Sequence, residues 1–209
     1  MKKLFLTSSV NCVADQVAKE IGKKGLKLLF ITTPVEVEEG NLQWFKNDRK
    51  SLVDAGFTVS DYTITDKTRD EIEQTIRNHD VIYVSGGNVF YLLQKIQQSK
   101  CADVIKIYVE QGKIYIGTSA GSIIAGPDIY PARRLGKVEK APNLKGYKGL
   151  GLVDFVVLPH WGSEDHKKIY LDERLEHTYN TNNKIILLTD YQYISVEGDM
   201  YKIIDVKAS

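Results

Sequence analysis

Short apolar runs alternate along this chain with segments in which apolar residues recur every three or four positions. The runs are typical of buried strands, and the wider spacing is typical of helices with one buried face. Predicted strands lie at 3–7, 26–32, 57–62, 81–84, 113–117, 153–158, 184–189, 192–196 and 200–204, and predicted helices lie near 13–21, 41–55, 68–76, 88–96, 102–111 and after 163. This alternation predicts a three-layer α/β fold, in which a mostly parallel sheet carries helices on both faces.

Local signals predict several element ends. Thr68 and Glu71 have the spacing of a capping box, in which a hydroxyl and a carboxylate satisfy free backbone N–H groups at a helix start. Asn11 is expected to cap the first helix, and Ser163 the helix after the sixth strand. Residues 197–199 are typical of a turn, so the last two strands are expected to pair as a C-terminal β-hairpin.

No Ser/Gly tract, charge block or internal repeat divides the chain, so residues 1–209 are expected to form a single domain. The longest stretch without clear periodicity runs from 126 to 151 and holds three prolines and five glycines. Loops of this length in compact domains are usually functional or mobile. The stretch is therefore a candidate functional loop.

Composition narrows the class of protein. Lys and Arg number 28 against 27 Asp and Glu, and the net charge of +1 argues against a broad nucleic-acid or anionic-membrane surface. No apolar run approaches the roughly 20 residues that span a bilayer, and the first apolar stretch turns polar at Thr7-Ser8-Ser9, too early for a signal peptide. Cys12 and Cys101 are too few for a disulfide scaffold or a cysteine-rich zinc site. A soluble, cytoplasmic protein is expected.

The segment Gly117-Thr118-Ser119-Ala120-Gly121 matches the G-x-S-x-G pattern of a nucleophile elbow, a sharp strand-to-helix turn that exposes a serine hydroxyl. Small residues two positions before and after the serine let the backbone turn without collision. The required context is present, because an apolar strand precedes the motif and residues 122–125 can begin a helix. The alternative is a tight strand-to-helix turn with no catalytic role. A nucleophilic Ser119 is favoured because the glycines and both flanking elements fit a nucleophile elbow.

A serine nucleophile needs a base, which is usually histidine. His160 follows an apolar strand and so belongs at the carboxyl edge of the sheet, where Ser119 also emerges and where open α/β sheets place their sites. His79 is expected at a helix end, and His166 and His177 at the surface of a charged helix. His160 is therefore the predicted base.

An oxyanion hole requires two fixed backbone N–H donors. Ala120 supplies one by its position after the serine, at the start of a helix. Gly87 is expected to supply the other, because residues 85–88 end a strand expected beside 114–117 and glycine allows close backbone approach. An ordinary turn capped by Asn88 is compatible with the same role.

Sequence spacing alone does not identify the acid that orients the base. Between the two predicted catalytic residues lie Asp128, Glu139 and Asp154, of which Asp154 stands at the wrong end of its strand. Glu139, in the irregular segment, is the first choice. The remaining candidates are Asp128, Glu164 and Asp165.

Three segments, taken in order, carry a family resemblance: Ser85-Gly86-Gly87-Asn88, Gly117-Thr118-Ser119-Ala120-Gly121-Ser122 and Leu158-Pro159-His160. On these segments the chain resembles the peptidase E family, the aspartyl dipeptidase group of serine peptidases related to cyanophycinase. The likeness covers essentially the whole chain, including the closing segment 190–194. It implies a flavodoxin-like or class I glutamine-amidotransferase-like fold, and hydrolysis through an acyl-enzyme without metal or organic cofactor. It also implies Ser119 as the nucleophile, His160 as the base, and Gly87 with Ala120 as the oxyanion donors.

The sequence departs from the family pattern at the acid and the specificity loop. Arg134 stands about where the founding dipeptidase has an aspartate, and the cyanophycinase-like relatives place an acid nearer Glu139. Strict specificity for an N-terminal aspartate is therefore not implied. Arg133 and Arg134 are candidates for binding an acidic substrate side chain, because Arg offers a fork of donors to carboxylates; a solvated loop pair is the alternative.

The predicted function is a dipeptidase-like serine peptidase that hydrolyses short peptides, with an acidic first residue as one option. Two rivals stay open: a different amide hydrolase on the same scaffold, and a non-catalytic binding or sensing domain that lacks a working triad. Nucleic-acid binding has little support because the basic residues are scattered. The expected partner is a small peptide, and the expected assembly is a monomer or homodimer.

Overall fold

The computed structural model describes residues 1–134, 136–178 and 182–207. Its strands are β1 (Lys3–Thr7), β2 (Lys27–Ile31), β3 (Thr58–Tyr62), β4 (Val81–Val84), β5 (Ile114–Thr118), β6 (Phe155–Leu158), β7 (Lys184–Leu187), β8 (Gln192–Glu197) and β9 (Met200–Asp205). Its helices are α1 (Ala14–Ile21), α2 (Gln43–Asp54), α3 (Arg69–Arg77), α4 (Val89–Ser99), α5 (Ala102–Glu110), α6 (Ala120–Ile124), α7 (Glu164–Ile169) and α8 (Leu175–Thr178).

A seven-stranded sheet with the order β3-β2-β4-β5-β1-β8-β9 forms the centre of the fold. The first five strands of this order run parallel, whereas β8 and β9 are antiparallel and form the C-terminal hairpin. The pairing of β4 with β5 brings the segments that follow these two strands side by side, as the sequence predicted. The mostly parallel α/β fold and the C-terminal hairpin are both confirmed.

Helices cover both faces of the sheet because its strands alternate apolar side chains between two cores. In β2, Phe30 packs into one core together with Val17 of α1 and Leu52 of α2. The preceding residue, Leu29, packs into the other core together with Ile72 of α3. No helix in the described ranges combines the length and the apolar character needed to cross a bilayer.

One of the three predicted helix caps is confirmed, and the other two differ from the structure in different ways. The capping box of α3 is confirmed, because Thr68 and Glu71 each satisfy the other's backbone N–H. Asn11 instead lies in a separate 3-10 turn, Val10–Cys12, and α1 begins only after Val13. The apolar spacing hides this turn, because Val13 is buried in either arrangement. Ser163 precedes α7, but its hydroxyl makes no capping hydrogen bond.

Strands β6 and β7 form a separate two-stranded parallel sheet. They do not extend the central sheet beyond β1, because the antiparallel strand β8 occupies that edge. The register pairs Leu158 with Leu187, so the residues that follow β6 and β7 emerge side by side. This arrangement brings a histidine and an aspartate from distant parts of the sequence to one place.

Candidate active site

A cavity of about 440 Å³ lies at the carboxyl ends of the parallel strands. Residues that follow β1, β4, β5, β6 and β7 line it, and α2 forms part of its wall. Open parallel sheets place their sites at this edge, because the loops and helix N-termini converge there. The predicted residues Ser119, His160, Gly87 and Arg134 all line this cavity.

Ser119 occupies a sharp turn between β5 and α6. Its backbone has φ 47° and ψ −107°, a conformation that residues with a side chain rarely adopt. The flanking glycines permit the turn, because a Cβ on Gly117 would lie 2.4 Å from the Gly121 carbonyl oxygen and a Cβ on Gly121 would lie 2.1 Å from the Val84 carbonyl oxygen. The G-x-S-x-G spacing is thus a packing requirement of this strand–turn–helix.

Hydrogen bonds to β1 hold the turn in place. The Ser119 N–H donates to the Thr7 carbonyl oxygen at 3.1 Å. The hydroxyl of Ser122, which is fully buried, donates to the same oxygen at 2.7 Å. These bonds tie the start of α6 to the neighbouring strand, and this support stabilises the strained backbone of Ser119.

His160 meets Ser119 from the end of β6. Its Nε2 lies 3.0 Å from Ser119 Oγ, within hydrogen-bond distance. His160 also has a positive φ, 65°, so both residues of this pair stand on unusual backbone. The structure therefore brings together the serine and the histidine that the sequence singled out.

The acid next to His160 is Asp190, a residue that the sequence argument did not select. Asp190 Oδ1 lies 2.7 Å from His160 Nδ1. Burial alone would raise the pKa of Asp190, but hydrogen bonds from His160 and Ser8 and the positive potential of His160 outweigh it, so the pKa is lowered. Because a carboxylate only accepts hydrogen bonds, Nδ1 carries the proton and Nε2 is left to accept the Ser119 hydroxyl.

Glu139 does not reach this pair. It lies exposed in a 3-10 turn, Val138–Lys140, and makes no hydrogen bond with His160 in the described part of the chain. Among the other candidates, Asp128 accepts hydrogen bonds from Tyr130 and Asn183. Glu164 and Asp165 are exposed in the first turn of α7, although Asp165 lines the cavity. Asp154, at the start of β6, pairs with Lys184.

Ser8 is a second residue of the site that the sequence argument missed. It is fully buried at the end of β1. Its hydroxyl donates to Asp190 Oδ1 at 2.8 Å and accepts from the backbone N–H of His160 at 2.7 Å. Ser8 therefore fixes the histidine backbone and the aspartate at once. The available signal was the abrupt change from apolar to polar residues after Leu6.

The two predicted oxyanion donors lie near Ser119. Gly87 lines the cavity with φ 123°, and a Cβ there would lie 2.4 Å from the Pro34 carbonyl oxygen, so only glycine fits. Ala120 is the first residue of α6. Within the described ranges, the N–H groups of these two residues donate no hydrogen bond to a protein acceptor.

Basic side chains line another part of the cavity. Arg174 is only 6% exposed, and its Nε has no hydrogen-bond partner among the described residues. Arg134 is half-buried, and this burial together with the charge of Arg174 lowers its pKa. Arg133, by contrast, is exposed and does not line the cavity. Of the two predicted arginines, only Arg134 therefore has access to a bound molecule.

His166 also lies in the cavity, and the prediction that it is a surface residue is wrong. Its ring stacks on that of His160, with centroids 4.5 Å apart. Burial, followed by the charges of His160 and Arg174, lowers the pKa of His166 to about 4. His166 is therefore neutral at physiological pH. The side chain of His177 lies outside the described part of the structure.

Asp48, on α2, is a buried acid in the cavity wall. It is 4% exposed. Burial raises its pKa to about 7, the negative charge of Asp190 adds to this, and the backbone N–H of Asn11 offsets part of it. At neutral pH this carboxyl group therefore carries a proton in a large fraction of molecules.

Replacing Asp48 by Asn is expected to increase stability above neutral pH. Well below pH 4, the carboxyl is protonated in both the folded and the unfolded state. Between pH 4 and about pH 7, the unfolded chain releases this proton while the folded chain keeps it. Relative to Asp48→Asn, the wild type therefore loses roughly 1.4 kcal/mol of unfolding free energy per pH unit, about 4 kcal/mol in total. Denaturant unfolding at pH 4 and pH 8 measures this. If the difference in unfolding free energy between the wild type and the variant does not change with pH, the raised pKa is contradicted.

Comparison with known proteins identifies the family. The sequence profile of peptidase family S51 matches residues 4–204. The chain belongs to peptidase family S51. It is accordingly a peptidase, and the resemblance to peptidase E expected from the three sequence segments is confirmed.

Several proteins are similar to this S51 peptidase over nearly its whole length. An uncharacterized peptidase of Listeria monocytogenes, Lmo0363, is 34% identical over 199 residues, which cover 95% of this chain and 96% of that protein. An uncharacterized peptidase of Pasteurella multocida, PM1590, is 31% identical over 201 residues, which cover 95% of each. The crystal structure of a protein from Listeria monocytogenes EGD-e, described as a peptidase E, superposes with a TM-score of 0.89 at 31% identity over 99% of both chains.

Proposed function

We propose that this S51 peptidase is a serine peptidase that hydrolyses short peptides through an acyl-enzyme on Ser119. The observation that carries the proposal is the hydrogen-bonded series from Ser119 Oγ to His160 Nε2, at 3.0 Å, and from His160 Nδ1 to Asp190 Oδ1, at 2.7 Å. A nucleophile, a base and an orienting acid in this order are the arrangement that serine hydrolysis requires. The residues that line the cavity come from nearly the whole chain, from Ser8 to Asp190. This supports the further proposal that residues 1–209 act as one domain.

In the acylation step, Ser119 Oγ attacks the peptide carbonyl carbon while His160 Nε2 takes the hydroxyl proton. The imidazolium that forms is stabilised by the negative charge of Asp190, which the low pKa keeps ionised. Nε2 then gives the proton to the leaving nitrogen as the C–N bond breaks. The products of this step are the ester on Ser119 and the free amine.

The developing oxyanion is proposed to bind the N–H groups of Gly87 and Ala120. Support comes from their lack of a protein acceptor in the described ranges and from their place beside Ser119. Each donor of this kind stabilises the transition state by roughly 3 kcal/mol. In the second step, water loses a proton to Nε2 and attacks the ester, and the proton returns to Ser119 Oγ as the acid leaves.

The cavity supports a small substrate with an acidic side chain. Its volume of about 440 Å³ falls in the range of small-molecule sites. Arg134 and the nearly buried Arg174 give it positive charge, and Arg forms strong paired hydrogen bonds with carboxylates. A dipeptide whose first residue is acidic fits this chemistry best.

A panel of Asp-X and Ala-X dipeptides tests both the activity and the preference. Arg134→Gln is expected to raise KM for Asp-X about tenfold, because it removes one charge-assisted hydrogen bond, and to leave Ala-X nearly unchanged. Arg133→Gln is the matched control, since its exposed side chain lies outside the cavity. Equal effects of the two substitutions would contradict the acidic subsite. Hydrolysis of no dipeptide would contradict the proposed activity.

A further inference from the structure

Helix α2 brings two side chains, Trp44 and Asp48, to the wall of the catalytic cavity. They are four positions apart and therefore share one face of the helix. A Cβ on Gly86 would lie 3.2 Å from Trp44 Cζ3 and 3.4 Å from Ser119 Cβ, so the indole and the serine are near neighbours. A group bound beside Ser119 on this side meets α2.

Asp48 differs from the other acids of the cavity in being buried without a cationic partner among the described residues. Those other acids are Glu38, Asp165 and Asp190. The first is paired with Lys137 and the last with His160, while Asp165 is exposed to solvent. Asp48 is 4% exposed, and in the described ranges no Lys, Arg or His lies within ion-pair distance of it. A buried carboxylate is costly unless a cation or several hydrogen bonds compensate it.

We propose that Asp48 binds the α-ammonium group of the substrate's first residue, with Trp44 as the aromatic wall of this subsite. The inference rests on the proposed function, because attack by Ser119 fixes where the scissile carbonyl lies. The α-nitrogen is only two bonds from that carbonyl carbon, so it stays close to Ser119, and the α2 wall beside Ser119 is within its reach. A carboxylate accepts hydrogen bonds, and an ammonium offers it a positive charge and three donors. The face of the Trp44 indole also attracts cations.

The subsite also explains why a poorly solvated acid is retained here. Burial raises the pKa of Asp48 to about 7, whereas a bound ammonium favours the charged carboxylate. With Asp48 at one wall and the arginines Arg134 and Arg174 at another, the cavity offers both charges that an acidic N-terminal residue carries. An N-terminally blocked peptide cannot use the Asp48 wall, so the enzyme is specific for free N-termini.

The test is calorimetric binding to the Ser119→Ala variant, which does not depend on turnover. Asp-Leu and Ala-Leu are expected to bind at least about tenfold more tightly than their N-acetyl forms, as one hydrogen bond to a charged group contributes. Adding Asp48→Asn, which keeps the side-chain shape, is expected to weaken binding of the free-amine peptides roughly 10- to 100-fold and to change binding of the acetylated peptides less than twofold.

Asp54→Asn is the matched control, because Asp54 lies on the same helix, forms an exposed ion pair with Lys50 and does not line the cavity. It is expected to leave all four affinities unchanged. Equal binding of free and acetylated peptides, an equal loss for both on Asp48→Asn, or no binding of either free-amine peptide would overturn the subsite. Failure of the proposed function is distinguishable, because it would abolish fluorophosphonate labelling of the wild type, whereas a wrong subsite leaves that labelling intact.

Discussion

Replacing Ser119 by Ala is expected to lower kcat for dipeptide hydrolysis by about 10⁶-fold, the loss typical of removing the nucleophile of a serine protease. Without Oγ, no ester can form and His160 has no hydroxyl proton to accept. The fold should be retained, because Ala occupies the same backbone conformation and Ser119 holds its turn through its main chain. Stopped assays at high enzyme concentration, with thermal unfolding alongside, measure both effects.

Ser9→Ala is the matched control for this substitution. Ser9 also lines the cavity, but its hydroxyl donates to the Asn11 side chain and, among the described residues, forms no hydrogen bond with Ser119, His160 or Asp190. Its loss is expected to change kcat less than about twofold, as is typical of an ordinary surface substitution. Turnover by Ser119→Ala within tenfold of the wild type would exclude Ser119 as the nucleophile.

Replacing Asp190 by Asn is expected to lower kcat by about 10⁴-fold, the loss seen when the triad carboxylate of a serine protease becomes an amide. The neutral amide no longer stabilises the imidazolium that forms when His160 takes the proton. Because Asn preserves the side-chain shape, the effect should fall on kcat more than on KM. Steady-state kinetics with the same dipeptides provide the measurement.

Glu139→Gln separates this assignment from the acid that the sequence favoured. Glu139 is exposed and remote from His160 in the hydrogen-bond network, so its substitution should change kcat less than about twofold. If Glu139→Gln were inactive and Asp190→Asn active, the orienting acid would be Glu139 and not Asp190.

The serine and the histidine could be predicted because local patterns carry them. The G-x-S-x-G spacing reflects backbone contacts within one turn, between Gly117 and Gly121 and with Val84. His160 follows an apolar strand, and a residue in that position must emerge at the carboxyl edge of a parallel sheet. Neither inference needs knowledge of which distant strands pair.

The acid could not be assigned in the same way because it depends on a long-range pairing. Asp190 reaches His160 only because β7 pairs in parallel with β6, in the register that aligns Leu187 with Leu158. The acids that local spacing offers lie between Ser119 and His160 or directly after His160, whereas Asp190 lies 30 residues beyond the histidine. A broader signal was present, since Asp190 also follows an apolar strand.

Burial was the other property that periodicity could not reveal. Asp48 is one polar residue in a helix with many, and only the packing of α2 on the turn after β1 makes it 4% exposed. Arg174 and His166 likewise lie in a segment whose charges are typical of a solvated helix. Their place in the cavity follows from how that segment packs beside β6, which no local pattern encodes.

The central claim, that Ser119 is an activated nucleophile, is tested most directly by reaction with a fluorophosphonate followed by intact-mass measurement and peptide mapping. The predicted result is one adduct per chain, located on Ser119, absent from Ser119→Ala and formed much more slowly by Asp190→Asn. An inert wild type, or an adduct that forms on Ser119 no faster than on a surface hydroxyl, would contradict the account.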